Sequence, residues 1–476
     1  MTYVGTAYVL AAVVLFMYRH ILIVLIGCMS IAACSIPFTR RVTLPQDRFI
    51  QAYFNHRETD RDYNEPYRQL KRSGDNLEAV IIQEIAAAKS SISLAVQELN
   101  LPLVANALAQ SHRSGVKVRI ILDNQYSRSL SQLNRQEIKQ LKSRDRQKYN
   151  SFKKLVDLNN NNNLEPEEIA QRDALFILRQ AGIPIIDDTA DGSKGSGLMH
   201  HKFMVIDNKI VLTGSTNFTV SGVYGDLDDS ATKGNVNHLL RIKNTKVAEL
   251  FTEEFDYMWG DSPKGGVNSK FGLQKPWRSP KTIIWQDTKF TIQFAPTSTR
   301  KNWQLSTNGL IAKTIKDAAE SIDLALFVFS EQKIVDALKQ LPQKVEIKGV
   351  FDSSFAYRYY SEVLDMLGTT LYLRCQPEAN NNPWQASLNT IGTPQISPGD
   401  KLHHKFAVID NYTVISGSQN WSEAANINND EALIIISNLT LAKHFDREFQ
   451  RLYDSASTGL PNKIGQKIQQ QQRECS

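Results

Sequence analysis

His200-His201-Lys202-Phe203-Met204-Val205-Ile206-Asp207, then six residues, then Gly214-Ser215-Thr216-Asn217: this stretch decides how the 476-residue chain is read, because it occurs twice. The second copy is His403-His404-Lys405-Phe406-Ala407-Val408-Ile409-Asp410, again six residues, then Gly417-Ser418-Gln419-Asn420. On an extended strand, side chains two apart share a face. Each first histidine therefore lies beside its lysine, while Phe203 and Val205, like Phe406 and Val408, turn to the opposite face. A single His-x-Lys is an ordinary exposed strand pair; agreement at every fixed position in two copies is not a chance event. Histidine serves as nucleophile or general acid–base near neutral pH, and lysine supplies positive charge for phosphate oxygens. Ser215, Asn217, Ser418 and Asn420 add neutral hydrogen-bonding groups and are the candidate substrate-binding residues. His201 and His404 should face away from the site as packed or hydrogen-bonded histidines, and Phe218 and Trp421 should pack in the core.

Working outward, the whole chain reads as a tandem duplication. Ser91-Ile92-Ser93-Leu94-Ala95 returns as Ser321-Ile322-Asp323-Leu324-Ala325, and the strand ending Ile121-Leu122-Asp123 returns as the one ending Val350-Phe351-Asp352. Strands alternating with helix-like segments argue for two α/β units. The expected boundaries are a polar linker over 35–74, unit 1 over 75–261, a Pro- and Gly-containing linker over 262–303, unit 2 over 304–456 and a polar tail over 457–476.

The paired motif resembles that of the phospholipase D superfamily, whose members build one active site from two such copies. The resemblance implies an α/β fold: two tandem phospholipase D-like units packed as a pseudo-dimer with one shared active site. It implies a catalytic set of His200, Lys202, Asp207, His403, Lys405 and Asp410, although the two aspartates read better as groups that hold the motif together. It also implies a two-step displacement, with His200 as nucleophile forming a phosphohistidine and His403 as acid–base, and no cofactor for the chemistry. Family members set a carboxylate behind the histidine to orient it. Glu431, following His403, fits that role, and its counterpart in the first copy is Asn237, an amide that would stabilise a cationic His200 less.

The first copy is longer by a segment centred on Asp157-Leu158-Asn159-Asn160-Asn161-Asn162-Asn163-Leu164-Glu165-Pro166-Glu167-Glu168. This resembles a calcium-binding EF-hand loop, with an insertion running over about 145–180. Asp157, Asn159, Asn161, Asn163, Glu165 and Glu168 are the candidate metal residues, and Asn162 stands where glycine is usual. Segments 145–156 and 167–180 are the expected flanking helices. Calcium would be structural, of the weak extracellular kind.

Residues 1–34 carry two apolar runs, the second ending Ile31-Ala32-Ala33-Cys34. They read as a secretory signal with a lipobox-like exit, making Cys34 a lipidation site, or as a retained membrane anchor. Either reading exports the body and tethers it to a bacterial membrane. Hydrophobic residues at 42% and charged residues at 22% exclude a disordered chain, and the net charge of +6 favours anionic partners. Four cysteines (Cys28, Cys34, Cys375, Cys475) are too few for a disulfide framework. Phospholipid membrane and nucleic acid both stay open as substrates, and no protein partner is expected. The tether favours phospholipase D-type hydrolysis of lipid headgroup phosphodiesters. The alternatives are an exported nuclease and a catalytically inactive protein that binds anionic polymers, the last opposed by the intact motifs.

Overall fold

The computed structural model describes residues 43–59 and 62–475. The expected leader or anchor over 1–34, including Cys34, lies outside the described residues. Two mixed sheets carry the fold. The first runs, in spatial order, Ile50–Phe54, His238–Lys243, Ile210–Gly214, Lys202–Ile206, Ser91–Val96, Lys117–Leu122, Ile185–Asp187. The second runs Lys281–Trp285, Thr288–Ala295, Glu431–Ser437, Thr413–Gly417, Lys405–Ile409, Ser321–Leu326, Glu346–Phe351, Ile391–Thr393, Ser457–Thr458. From Ile50–Phe54 to Ile185–Asp187 and from Thr288–Ala295 to Ile391–Thr393 the two orders match strand for strand.

The motif strand is central in both sheets, and all five residues of Lys202–Ile206 and of Lys405–Ile409 are buried. Such near-continuous burial needs cover on both faces. Helices Leu77–Ala87 and Pro102–Arg113 pack beside the first sheet, the former capped by the Asn76 side chain and the latter opening on proline. The second helix is the crossover that makes Ser91–Val96 and Lys117–Leu122 parallel, while Lys202–Ile206 pairs antiparallel on the other side. One apolar cluster covers the outside of each half. A third, containing Phe203, Phe251 and Phe255 with Phe406, Phe445 and Phe449, takes residues from both. That shared cluster makes the two units one body.

Both segments read as linkers contain sheet strands. Ile50–Phe54 pairs with His238–Lys243 exactly as Thr288–Ala295 pairs with Glu431–Ser437, so that Phe54 faces His238 and Phe294 faces Ala432. The repeat thus begins earlier than the motif-based boundaries, because each of these strands is a short run within an otherwise polar stretch. Residues 65–72 are likewise built in: Arg72 and Arg68 bond Glu65, a fully buried carboxylate. The expected polar tail holds strand Ser457–Thr458 and helix Asn462–Glu474, which packs Ile468 on Leu364 and Leu371. Cys475 after that helix is joined to Cys375 by a disulfide. Four cysteines do not make a framework, yet two of them staple the last helix to unit 2.

Candidate active site

Strand register places the chemistry. Val96 pairs with Lys202 and Leu326 with Lys405, so the residue after each partner strand, Gln97 or Phe327, emerges beside a motif lysine. The segment before each motif then crosses to the other half. His200 N–H donates to Asp430 O (3.0 Å) and Asp430 N–H to Leu198 O (2.9 Å). Reciprocally, His403 N–H donates to Val236 O (3.0 Å) and Val236 N–H to Lys401 O (2.7 Å). Asp123 and Asp352, at the ends of the duplicated strands, fix these segments by accepting from Met199 N–H (3.0 Å) and Leu402 N–H (2.9 Å).

This crossing corrects the expected partners of the two histidines. Glu431 does not stand behind His403; its carboxylate lies 2.8 Å from His200 Nδ1. Asn237 stands behind His403, with Oδ1 2.9 Å from Nδ1. Each orienting residue follows a backbone bridge to the opposite copy, Asp430 to Met199 and Val236 to Leu402, so it reaches the opposite histidine. Both imidazoles thus turn Nδ1 to an oxygen and leave Nε2 for the reacting group.

Ser215 and Ser418 depart from the expected role of substrate donors. Both are fully buried, and their hydroxyls hold the orienting groups: Ser215 Oγ donates to Asn237 Oδ1 (2.8 Å) and Ser418 Oγ to Glu431 Oε2 (2.6 Å). Asn217 and Asn420 each keep a buried Oδ1 without a hydrogen-bond partner. Asp207 and Asp410 hydrogen-bond to backbone. Asp207 accepts from the backbone N–H groups of Lys89, Ser90 and Ser91, and Asp410 from those of Ala319, Glu320 and Ser321, each pinning the start of a central strand. His201 and His404 face away, bonding Glu254 (2.8 Å) and Glu448 (3.0 Å). His404 Nδ1 also lies 3.0 Å from His238 Nδ1, linking the halves. Phe218 and Trp421 are buried in the outer clusters.

The electrostatics follow from four cation-forming side chains in one recess. Lys202 Nζ donates to His200 O (2.8 Å) and Lys405 Nζ to His403 O (2.7 Å), both neutral acceptors. Burial pushes the Lys202 ammonium down to about 7, and burial, then Lys202, holds Lys405 well below the usual lysine value. Burial, then Lys202 and Lys405, holds the His200 imidazole well below the usual histidine value; burial, then Lys405 and Lys202, does the same for His403. Glu431 is the carboxylate that touches His200, and burial raises it to about 7. Such a site stabilises an anion placed between the lysines, and the anion in turn raises the proton affinity of both imidazoles.

Gln97 and Phe327 were missed because only their lysine neighbours mark them. They occupy equivalent positions but differ in kind. Gln97 Oε1 lies 3.5 Å from both Lys202 Nζ and Asn217 Nδ2. Phe327 instead packs on the His403 ring (4.8 Å between centroids), on Phe355 (4.8 Å) and under Lys405 Nζ (4.8 Å).

The inserted segment forms helix Ser143–Val156, the loop, then helices Pro166–Arg172 and Ala174–Gln180. The expected single second helix is split at Asp173, whose side chain caps the last helix. Within the loop Asp157 accepts from Asn161 and Asn162 N–H, and Glu168 from Leu158 and Asn159 N–H. Asn159 and Asn161 donate their side-chain amides to Glu165, and Asn163 N–H donates to Asn161 Oδ1. Asn162 takes φ 69°, the left-handed turn for which glycine is usual. Among the described residues no three His, Cys, Asp or Glu side chains are grouped as a metal site; Asn159 and Asn161 are amides where carboxylates are common.

Two motif histidines, each backed by a residue from the other half and flanked by a buried lysine, define a phospholipase D-like protein. The profile of the cardiolipin synthase PLD-like domain matches residues 81–259 and 311–453, and the chain belongs to this phospholipase D superfamily. It is 26% identical to the mitochondrial cardiolipin hydrolase of Mus musculus over 179 residues, 38% of this chain and 56% of that protein. It is 29% identical to a phospholipase D of Rickettsia prowazekii (strain Madrid E) over 175 residues, 37% of this chain and 58% of that one. The matches thus span little more than half of these curated relatives. In fold, the phosphatidylserine synthase of Haemophilus influenzae Rd KW20 superimposes with a TM-score of 0.53 at 12% identity, covering 90% of this chain and 94% of the other.

Proposed function

We propose that the protein hydrolyses phospholipid headgroup phosphodiesters through a phosphohistidine on His200. The observation that carries this reading is the unequal backing of the two histidines. Glu431 accepts the Nδ1 proton of His200, so the Nε2 lone pair is the nucleophile, and the negative carboxylate supports the positive charge that the ring gains on attack. Nε2 bonds to phosphorus, the bond to the leaving oxygen breaks, and His403 Nε2 donates its proton to that oxygen. His403 then takes a proton from water, whose oxygen bonds to phosphorus as the nitrogen–phosphorus bond breaks. Lys202 and Lys405 neutralise the non-bridging oxygens throughout. The bound phosphate also supplies the charge that lets His403, otherwise held neutral by its neighbours, carry a proton.

Calcium fits the insertion as a structural ion. Asp157, Asn159, Asn161 and Glu168 would hold it with Asn163 and Glu165, and the loop's left-handed turn at Asn162 is the conformation such a loop needs. Export and membrane attachment remain the reading of residues 1–34; the Cys375–Cys475 disulfide suits an oxidising compartment. Among the described residues no helix is long and apolar enough to cross a membrane.

The test is turnover of phosphatidylcholine and phosphatidylglycerol vesicles against single- and double-stranded DNA, in EDTA. Headgroup release from lipid with intact DNA is the expected result. Cleavage of DNA with intact lipid would overturn the lipid reading in favour of a nuclease, and inertness toward all substrates would overturn catalysis.

A further inference from the structure

We infer that the basic segment 135–154, anchored beside the site, docks the protein on an anionic lipid surface. The inference rests on the lipid reading above and specifies how that substrate is met. This stretch contains eight lysines and arginines against Glu137 and Asp145, an excess equal to the +6 of the entire chain. Arg135, Lys139, Lys142, Arg144 and Arg146 are exposed. Among the described residues only Lys154 of the eight has a carboxylate within salt-bridge distance, Asp228 at 2.5 Å.

The segment is anchored next to the chemistry. Lys148 Nζ lies 3.0 Å from Tyr126 Oη and 4.1 Å over the Tyr126 ring. Tyr126 ends the short turn Asn124–Tyr126 that follows Asp123, the residue that positions Met199 and hence His200. Arg144 and Lys148 share the Glu98 carboxylate with the motif's Lys202 as charged neighbours. Positive charge therefore continues from the buried lysine out to the exposed helix. A single-stranded nucleic acid would meet aromatic side chains interleaved with such charge for base stacking. The only aromatics in the stretch, Tyr149 and Phe152, are half-buried and lie against each other with centroids 6.4 Å apart, and Lys148 covers Tyr126. Charge without a stacking surface suits a plane of headgroup phosphates.

The experiment is partitioning of the full chain onto phosphatidylcholine vesicles with and without phosphatidylglycerol, comparing the native protein with Lys139→Gln/Lys142→Gln and Lys139→Glu/Lys142→Glu. Residues 1–42 are common to every arm, so the ratio of anionic to neutral partitioning cancels their contribution. That ratio should fall at least tenfold on charge reversal and by an intermediate factor on neutralisation. Turnover of a small soluble phosphodiester, bis(p-nitrophenyl) phosphate, should stay unchanged. An unaltered ratio in both variants would overturn the inference. So would an unaltered ratio accompanied by weakened binding of a single-stranded oligonucleotide, which would make nucleic acid the occupant. Partitioning is read without lipid turnover: a charge-dependent ratio with no lipid hydrolysis would instead sink the substrate assignment.

Discussion

The two halves of the active centre share a backbone and differ in what surrounds it. On one side stand His200, Lys202 and Gln97, with Glu431 reaching across to the imidazole; on the other stand His403, Lys405 and Phe327, with Asn237 reaching across. Duplication supplies two equivalent histidines, and these substitutions make them unequal. A carboxylate behind His200 favours a ring that becomes positive when its Nε2 is bonded to phosphorus. An amide behind His403 orients the ring without holding it charged, which suits a group that must give up its proton and take another. On the proposed assignment, the roles are set by residues each histidine borrows from the other copy.

The harshest way to break this comparison is to remove each histidine in turn. His200→Ala and His403→Ala should each lower turnover by about 10⁴-fold or more, because residues acting as one unit are not additive. Rapid quench of His403→Ala with a substrate bearing an activated leaving group should trap phosphate on His200. A trapped adduct on His403, in the His200→Ala protein, would invert the assignment.

Next in size is the exchange of orienting groups. Glu431→Gln should reduce kcat by roughly 10²–10⁴-fold by removing the charge behind the nucleophile. Asn237→Asp should change kcat far less and move its pH profile. Because burial and the lysines lower His403, the free enzyme loses the proton needed for leaving-group departure at lower pH than an ordinary histidine would. Bound phosphate opposes that shift, so the alkaline limb of kcat should lie at higher pH than that of kcat/KM. Asn237→Asp should raise the kcat/KM limb toward it. An unmoved limb would show that the titrating group is not His403.

Much of this was legible in the sequence, and what was not has physical causes. The paired motifs carry the fold and the four groups of the centre because strand alternation puts His and Lys on one face. Their spacing cannot show that chain crossing sends Glu431 to His200, since the Met199–Asp430 and Val236–Leu402 bridges are long-range events. Gln97 and Phe327 sit at equivalent places in the duplicated strands, but equivalence is invisible where the residue types differ. The strands Ile50–Phe54 and Thr288–Ala295 were hidden for another reason. Each is a short run set in a stretch rich in charged and polar residues with proline nearby, which has the composition of a linker.

A tenfold-scale effect should come from the aromatic difference. Phe327→Gln removes a ring that packs on His403 and lies under Lys405, contacts worth about 0.5–2 kcal/mol. Turnover should fall about tenfold, with Gln97→Phe failing to restore it. Restoration by that exchange would mean that the two sides are interchangeable.

The motif aspartates should leave chemistry alone. Burial works to raise Asp207, but its backbone hydrogen bonds pull it below the usual carboxylate value, and Asp410 behaves alike. Groups so depressed stabilise the fold above their unfolded value, and that contribution is lost as pH falls through the folded one. Asp207→Ala or Asp410→Ala should cost about 0.5–1.5 kcal/mol by removing the hydrogen bonds that pin the strand starts, lowering Tm while kcat at 25 °C is retained. A large loss of kcat in a folded variant would return these residues to the chemistry.

The smallest effect on turnover should come from the inserted loop of the first half. The loop Asp157–Glu168 closes through its own backbone hydrogen bonds, and no motif residue is among its partners. Calcium binding there should act through mass action on the folded state, adding about 2.7 kcal/mol at one hundred times its dissociation constant. Calcium should therefore raise Tm, with Glu168→Gln abolishing most of the rise, because Glu168 ties both ends of the loop together through Leu158, Asn159 and Glu165. Turnover in EDTA below the melting transition should match that in calcium, since Lys202 and Lys405 already neutralise the phosphate. Loss of all turnover in EDTA with the fold intact by circular dichroism would place a metal in the reaction. An unchanged Tm at millimolar calcium would leave the insertion held by its hydrogen bonds alone, and the two halves would then differ in charge and not in metal.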